Sequence, residues 1–239
     1  MSLPGAPHPQ RQASLWGGLC RPLQECARSA TKLFGTNFEV DYYNSVSLLG
    51  EEGEETTYTS IDSGDRHRLR RLAAKKNLAL KKGAPVLLLR NLSSSLVNGL
   101  RGIVKLKVLE ADGPTVDFGF TTVKLKRETF TVFDPVRNQT LCEREQFPLS
   151  LAYGLTVHKS QGLTFDHLIV DCTHIRQSGQ LGVAVGRAKS TAGLQVINYN
   201  PSVCCQHPLE IQEFSEETGQ PFLGDLSCCQ AEKPVRLDN

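Results

Sequence analysis

Residues 155–164 bring together side chains that suit contact with phosphate groups. Hydrogen-bonding residues stand here in a short run before a glycine: Thr156, His158, Lys159, Ser160 and Gln161, followed by Gly162. Hydroxyl, imidazole, ammonium and amide groups all donate hydrogen bonds, and donors at a helix end or turn suit anionic oxygens. The segment is therefore the first candidate for a phosphate-binding site.

Residues 179–188 present one arginine, Arg187, from an otherwise uncharged stretch with a helical pattern. Such an arginine is often an ordinary surface charge. It can also be an arginine finger, which stabilises the charge that develops on a transferring phosphoryl group. The residues alone leave both interpretations open.

Positive charge is concentrated in residues 66–82, which hold eight Lys or Arg, one His and no acid. The net charge of the chain is only +2, so the remainder carries −6, of which residues 204–239 contribute −5. The small net charge therefore hides two opposite segments. The basic segment is either a solvated helix or linker face, or a surface that tracks phosphates.

The first half of the chain predicts a strand, a helix and then many short strands. Thr36 and Glu39 have the spacing of a capping box, which starts a helix that Gly50 can end. Apolar residues recur on this helix at helical spacing: Tyr42, Val46 and Leu49. The expected strands are 30–34, 56–61, 85–90, 99–110, 115–120, 123–126 and 129–133. Their short, regular spacing indicates a small barrel or a curled sheet.

From Pro148 the pattern becomes helix, strand, helix, strand. Leu151, Leu155 and His158 would share one face of the first helix. The elements expected after it are a strand at 168–172, a helix at 180–189 and a strand at 194–199. This alternation predicts parallel strands in a sheet covered by helices.

Composition excludes several classes of protein. The 239 residues with 39% hydrophobic content suit a globular core. The longest apolar run, residues 86–89, is far shorter than the ~20 residues of a membrane helix, so we expect no membrane partner.

Residues 1–24 have no acid and suit a disordered start or a mitochondrial presequence. Two adjacent cysteine pairs, at 204–205 and 228–229, lack the usual zinc spacing, which favours free thiols.

The motifs taken together make the chain similar to the C-terminal half of the Pif-family DNA helicases, in the Pif/RecD branch, over about residues 19–201. One short motif would be weak, but many in the correct order are specific. The matching residues are 21–23, 30–34, Asn44, 82–86, 91–92, 96–102, 147–149, 158–162 and 179–188.

This resemblance implies an α/β fold and a division into domains. A second RecA-like domain, of the P-loop-NTPase type but without the phosphate loop, would comprise 19–82 and 148–201. A small inserted β-barrel that contacts single-stranded DNA would comprise 83–147. Residues 1–18 would be a disordered N-terminus, and 202–239 an acidic, cysteine-containing tail.

The resemblance also implies roles for single residues. The expected DNA contacts are Thr156, His158, Lys159, Ser160, Asn98 and Arg101. The expected nucleotide contacts are Gln161, Gly162, Gln180 and Arg187, with Arg187 as the catalytic arginine finger. Gly182 and Gly186 depart from the family pattern and weaken the helix before Arg187. Lys32 matches only through its neighbours and is not assigned a role.

Helicases of this family unwind DNA 5′ to 3′ with ATP and Mg²⁺. The resemblance therefore implies a role in DNA repair, recombination and telomere maintenance. The implied partners are single-stranded DNA or DNA forks, and a first RecA-like domain or a longer isoform. The nucleus is the expected compartment, with the mitochondrion as the alternative.

No GxxxxGK[ST] motif occurs in the 239 residues, so the Lys and Ser/Thr that hold ATP phosphates and Mg²⁺ in such motors are not among them. We therefore expect weak binding of single-stranded DNA by the chain alone, and neither bound ATP nor a metal site. The alternative is a non-catalytic DNA- or partner-binding module derived from a helicase.

Overall fold

The structure is a computed structural model that describes Leu19 and residues 30–106 and 113–201. The strands are β1 (Thr31–Phe34), β2 (Thr56–Thr59), β3 (Ile61–Gly64), β4 (Asn77–Leu80), β5 (Pro85–Leu88), β6 (Arg101–Leu106), β7 (Thr115–Asp117), β8 (Thr122–Lys124), β9 (Glu128–Asp134), β10 (Gln139–Gln146), β11 (Leu149–Leu151), β12 (Gly154–Thr156), β13 (Leu168–Asp171) and β14 (Leu194–Ile197). The helices are α1 (Asn37–Gly50), α2 (Arg66–Leu69) and α3 (Gln180–Val185), and a 3₁₀ turn covers His158–Ser160.

A parallel sheet of four strands organises the first core. Its order is β12-β1-β13-β14, and every neighbouring pair is parallel. Leu33, Leu168 and Val170 from its central strands are fully buried in this core. Parallel strands are normally buried on both faces. The predicted α/β character and parallel pairing of this part are therefore confirmed.

The capping box at the start of α1 is also confirmed. The Thr36 hydroxyl accepts the Glu39 N–H at 3.4 Å, and the Glu39 carboxylate accepts the Thr36 N–H at 3.1 Å. The apolar residues that suggested the helix lie on its outer side, since Tyr42, Val46 and Leu49 are exposed.

The buried side of α1 instead carries Val40, Asn44 and Leu48. Asn44 holds the helix to β12, because its amide donates to the Gly154 carbonyl at 3.1 Å and accepts the Gly154 N–H at 2.8 Å. The polar side chain of Asn44 lies at the centre of the buried face of α1. The spacing of hydrophobic residues therefore indicated the wrong side of this helix.

The antiparallel sheets have the orders β11-β5-β6-β7-β8, β3-β10-β9 and β2-β4. The first and the last of these sheets contribute residues to a second core. This core includes Val86, Val104 and Val116 and also Tyr58 and Leu149, which lie outside the predicted 83–147 range. The predicted series of short strands is confirmed in this part, whereas the division into domains stays a prediction.

The helix predicted from Pro148 is wrong. Leu149–Leu151 is a strand paired with β5, and Gly154–Thr156 is a strand paired with β1. Leu151 and Leu155 therefore belong to two different sheets, and their spacing of four residues does not reflect a helix face. All three residues of β12 are buried, and a fully buried strand has no alternation that distinguishes it from a helix.

Some expectations lie outside the described residues. These are the disordered start or presequence, the match at 21–23, residues 107–110 of the predicted strand 99–110, and the acidic tail with its cysteine pairs. Within the residues that the structure does describe, no helix has the length and apolar character needed to cross a membrane.

Candidate nucleic-acid interface

The segment with the phosphate-binding pattern lies at the carboxyl edge of the parallel sheet. β12 ends at Thr156, and the Val157 N–H continues the pairing by donating to the Phe34 carbonyl at 3.1 Å. The chain then turns through the 3₁₀ segment into Gly162, whose φ of +80° is a conformation that glycine adopts without strain. In open α/β sheets, ligands bind outside the carboxyl ends of the strands.

Two hydroxyls hold this turn together. The buried Thr156 hydroxyl accepts the Lys159 N–H at 3.2 Å, and the fully buried Ser160 hydroxyl donates to the Val157 carbonyl at 2.7 Å. Both were predicted to contact DNA. Neither lines the groove described next, so their place in the structure is beneath the exposed residues, and direct DNA contact stays a prediction for them.

His158, Lys159, Gln161 and Gly162 are exposed and line one side of a groove, which we call the His158 groove. Asn98 and Gly99, from the loop between β5 and β6, line its other side. Leu87 and Leu89 add apolar surface, and the exposed Ala73 of the basic segment also borders it. Residues far apart in sequence are thus brought together, including five of those assigned from the resemblance.

The loop that carries Asn98 is held by its own hydrogen bonds. The Asn91 side chain accepts the Asn98 N–H at 2.7 Å, and the Gly99 N–H donates to the Leu88 carbonyl at 2.8 Å. Asn91 was part of the sequence resemblance but was not recognised as a residue that shapes the site. An asparagine that accepts a nearby backbone N–H in a loop is the signal that could have identified it.

Arg101 is not among the residues that line the His158 groove. Its guanidinium carbon is 5.2 Å from the centre of the Phe165 ring, and burial lowers the pKa of this arginine. This cation–π contact joins β6 of the second core to Phe165 of the first core. The side chain thus holds two parts of the chain together, and its expected contact with DNA stays a prediction.

Two of the four expected nucleotide contacts line the His158 groove. Gln161 and Gly162 line the His158 groove, but Gln180 is buried and its amide oxygen accepts the N–H groups of Arg176 and Gln177. Arg187 follows α3, and its Nε donates to the Val183 carbonyl at 3.3 Å. This bond directs the side chain along the helix and leaves the terminal guanidinium nitrogens as the part that could reach a phosphate.

A buried ion pair at the same sheet edge was missed from the sequence. The Lys32 ammonium on β1 lies 2.9 Å from the Asp171 carboxylate at the end of β13. Burial by itself raises the pKa of Asp171, but hydrogen bonds from Asn198, Thr173 and Lys32 together outweigh it and lower the pKa to about 2. The Asp-x-Thr spacing, typical of a side chain that caps a turn, was the available signal.

Within the described ranges, no group of three or more His, Cys, Asp or Glu side chains is placed to hold a metal ion. The residues of these ranges therefore do not fit Mg²⁺ by themselves. The chemistry that this edge offers is hydrogen bonding and one exposed ammonium beside apolar surface.

Comparisons with known proteins identify relatives of this chain. The family described as "DNA helicase Pif1, 2B domain" matches residues 70–106. The ATP-dependent DNA helicase PIF1 of Emericella nidulans is 31% identical over 257 aligned positions, covering 82% of this chain and 34% of that protein. The chain thus spans about a third of the length of this relative.

Solved structures give the same result. The crystal structure of Pif1 helicase from Candida albicans superimposes with a TM-score of 0.76 at 32% identity, over 88% of this chain and 54% of that one. The structure of Pif1 helicase from Bacteroides in complex with ADP-AlF3 and ssDNA gives 0.72 at 25% identity, over 89% and 51%. The predicted RecA-like α/β class is confirmed by these neighbours, and the chain belongs to the Pif1 family of DNA helicases.

Proposed function

We propose that this chain binds single-stranded DNA in the His158 groove as part of an ATP-dependent DNA helicase. The observation that carries the proposal is the convergence of Asn98, His158, Lys159 and Gln161 on one groove. The relative from Bacteroides whose structure contains ssDNA supports nucleic acid as the ligand.

The chemistry of the groove favours contact with the DNA backbone. Lys159 supplies a positive charge for a phosphate, and the side chains of Asn98 and Gln161 supply amide donors. Among the described residues that line the groove, His158 supplies the only aromatic ring and none is Phe, Tyr or Trp, so base stacking contributes less here than in most single-strand binding sites. Binding should therefore depend on salt and be tolerant of base sequence.

The finer assignments are part of the same proposal. Arg187 acts as the arginine finger once a first RecA-like domain supplies the phosphate loop, ATP and Mg²⁺. Unwinding runs 5′ to 3′, and the DNA partners are single-stranded DNA or DNA forks. The compartment is the nucleus or the mitochondrion. Repair, recombination and telomere maintenance are the processes this activity would serve. These assignments are supported by the family membership and by the position of Arg187 directly after α3.

A second candidate is a non-catalytic DNA- or partner-binding module derived from a helicase. The absence of a GxxxxGK[ST] motif from the 239 residues favours it. Co-purification with a separate phosphate-loop protein, or a longer transcript that encodes one upstream, would distinguish it from the helicase proposal.

The test of DNA binding is the anisotropy of a labelled oligothymidylate titrated with the chain at several salt concentrations. We expect Lys159→Ala to weaken binding about fivefold and to reduce the logarithmic salt slope by about 0.7, the value for one phosphate contact on a single strand. Lys189→Ala is the matched control, because Lys189 is exposed, pairs with Asp166 at 3.0 Å and does not line the groove. Equal affinities for both variants and the wild type would exclude the groove as the site.

A further inference from the structure

A second depression lies beside the basic segment and is lined by charged side chains, namely Asp62, Arg66, Arg70, Lys76 and Arg144. We call it the arginine pocket. Its residues come from β3, α2, the turns after α2 and β10, so it exists only in the folded chain. It contains four cationic groups and one carboxylate.

Two buried side chains of β10 hold the basic segment in place. Arg144 is 6% exposed and donates from Nη1 to the Ala74 carbonyl at 2.8 Å. Gln146 is fully buried and donates from Nε2 to the Lys76 carbonyl at 3.1 Å. The segment is therefore not a loose linker, and its cations are presented by a fixed backbone.

The one carboxylate in the pocket, that of Asp62, is paired with Arg144. Asp62 accepts two hydrogen bonds from Arg144, at 2.8 Å to Nε and 2.7 Å to Nη2, and this arginine lowers the pKa of Asp62 to about 2. Asp62 is thus a permanent partner of Arg144. The charge of Lys76 also lowers the pKa of Asp62, but Arg144 supplies the larger effect through its hydrogen bonds.

The outer cations of the pocket are available to a ligand. Arg66, Arg70 and Lys76 are exposed, and within the part of the chain that the structure describes none of them lies within 4.0 Å of a carboxylate. By contrast, the neighbouring Lys75 pairs with Asp41 at 2.6 Å and Arg68 with Asp65 at 3.3 Å. Two arginine forks and a lysine around one depression match the oxygens of a phosphate group.

The arginine pocket adjoins the His158 groove through the basic segment itself. Ala73 borders the groove, whereas Arg70 and Lys76, each three residues away, line the pocket. Three residues span at most about 11 Å of extended chain. A strand that leaves the groove along this segment therefore meets the pocket within a few nucleotides.

We propose that the arginine pocket binds a backbone phosphate of the same DNA strand that occupies the His158 groove. The proposal rests on the proposed function, because it extends that binding site by a second contact. It distinguishes Arg66, Arg70 and Lys76, which bind DNA, from Lys75 and Arg68, which are engaged in ion pairs.

The test compares two labelled oligothymidylates, one of about four nucleotides that fills only the groove and one of about twelve, within the range of single-strand site sizes. The pocket variant is Arg66→Ala with Arg70→Ala in the 239-residue chain. The charge-matched control is Arg137→Ala with Lys189→Ala, two exposed cations that lie outside both depressions and pair with Asp134 and Asp166. Thermal unfolding of each variant checks that the fold is intact.

We expect the pocket variant to lose about tenfold in affinity for the longer strand and to show a logarithmic salt slope reduced by about 0.7, since the pocket's one phosphate contact is lost. Its affinity for the shorter strand should equal that of the wild type and the control. Lys159→Ala should weaken both strands, because it removes a contact in the groove.

Other results would overturn the inference. Equal binding of the longer strand by the pocket variant and the control excludes the pocket as a contact, and so does an equal loss on both strands, which indicates a general charge effect. Displacement of the longer strand by inorganic phosphate at constant ionic strength would show a site for free phosphate instead. If Lys159→Ala also has no effect, the proposed function fails; if only the pocket variant has no effect, this inference alone fails.

Discussion

The hydrogen-bonding residues of the turn after β12 have two different roles. Thr156 and Ser160 are buried and bond the backbone of the turn, whereas His158 and Lys159 are exposed on the groove. The motif that suggested phosphate binding therefore combines residues that shape the site with residues that face its ligand. Burial, which the motif alone does not give, separates the two groups.

Asp171 is predicted to stabilise the fold in a pH-dependent way. Its pKa is about 2 in the folded chain and near 4 in an unfolded one, which corresponds to about 2 kcal/mol of stability. Because the folded pKa is the lower one, this contribution is complete above about pH 4 and is lost as the pH falls towards about 2. Asp171→Asn should lower the free energy of unfolding by about 2 kcal/mol at pH 7, measured by urea denaturation.

The difference between this variant and the wild type should shrink between about pH 4 and pH 2, as Asp171 becomes protonated in the wild type. Asp166→Asn is the control, since Asp166 is exposed and its pair with Lys189 lies in solvent. A stability of Asp171→Asn equal to that of the wild type at pH 7 would show that the Lys32–Asp171 pair contributes nothing.

At the scale of secondary structure, β10 shows why some elements were missed. Its buried positions alternate regularly, but they are Cys142, Arg144 and Gln146 instead of aliphatic residues. A search for alternating hydrophobic residues does not detect a strand whose buried face is polar. By contrast, the helix α1 was recognised from its capping box, because those bonds involve residues only three positions apart.

The polar face of β10 leads to a prediction about the basic segment. Gln146→Leu removes the amide that bonds the carbonyls of Tyr58 and Lys76, and it leaves these buried acceptors without that partner. We expect the variant to be destabilised by about 2–3 kcal/mol and hydrogen exchange in β4 to become faster. Denaturant unfolding and exchange measured by mass spectrometry would show both effects.

The control for this prediction is Gln139→Leu, at the exposed start of the same strand, which should change stability by less than about 0.5 kcal/mol. Unchanged exchange in β4 of Gln146→Leu would show that the strand is held without this amide. DNA affinity should also fall in Gln146→Leu, because the segment that carries Lys76 is then less fixed.

At the scale of the whole molecule, the two cores are joined at several points. Leu87 lies on a strand of the antiparallel sheet but packs in the first core, and Arg101 contacts Phe165 across the same boundary. The Phe165 N–H donates to the Arg187 carbonyl at 2.8 Å. The segment that follows the groove is thus bonded directly to the residue proposed as arginine finger.

The 239-residue chain by itself is predicted to bind DNA without hydrolysing ATP. It offers a groove for the strand but no phosphate-loop motif, and an arginine finger acts only on a phosphoryl group held by other parts of the site. A steady-state ATPase assay with saturating oligonucleotide should give the background rate. Robust turnover would contradict this prediction and require a nucleotide site of a different kind within the 239 residues.

Features that depend on neighbouring residues were determined by the sequence alone. Three such features are the capping box of α1, the strand at Thr31–Phe34 and the run of hydrogen-bonding residues at 158–162, which was predicted to bind phosphate. The concentration of positive charge in residues 66–82 is likewise a property of composition. The family resemblance rested on a larger set of short motifs in the same order along the chain, from residues 21–23 to 179–188.

Only the tertiary structure decided which of these residues form a site. Asn98 and His158 are sixty positions apart in the sequence but line the same groove. Arg144 and Asp62 are eighty-two positions apart but form a hydrogen bond, because strand pairing brings them together. Pairing also changed the segment after Pro148 from an expected helix into strands of two different sheets. Burial and charge pairing depend on contacts between distant parts of the chain, and no local pattern encodes which partners will meet.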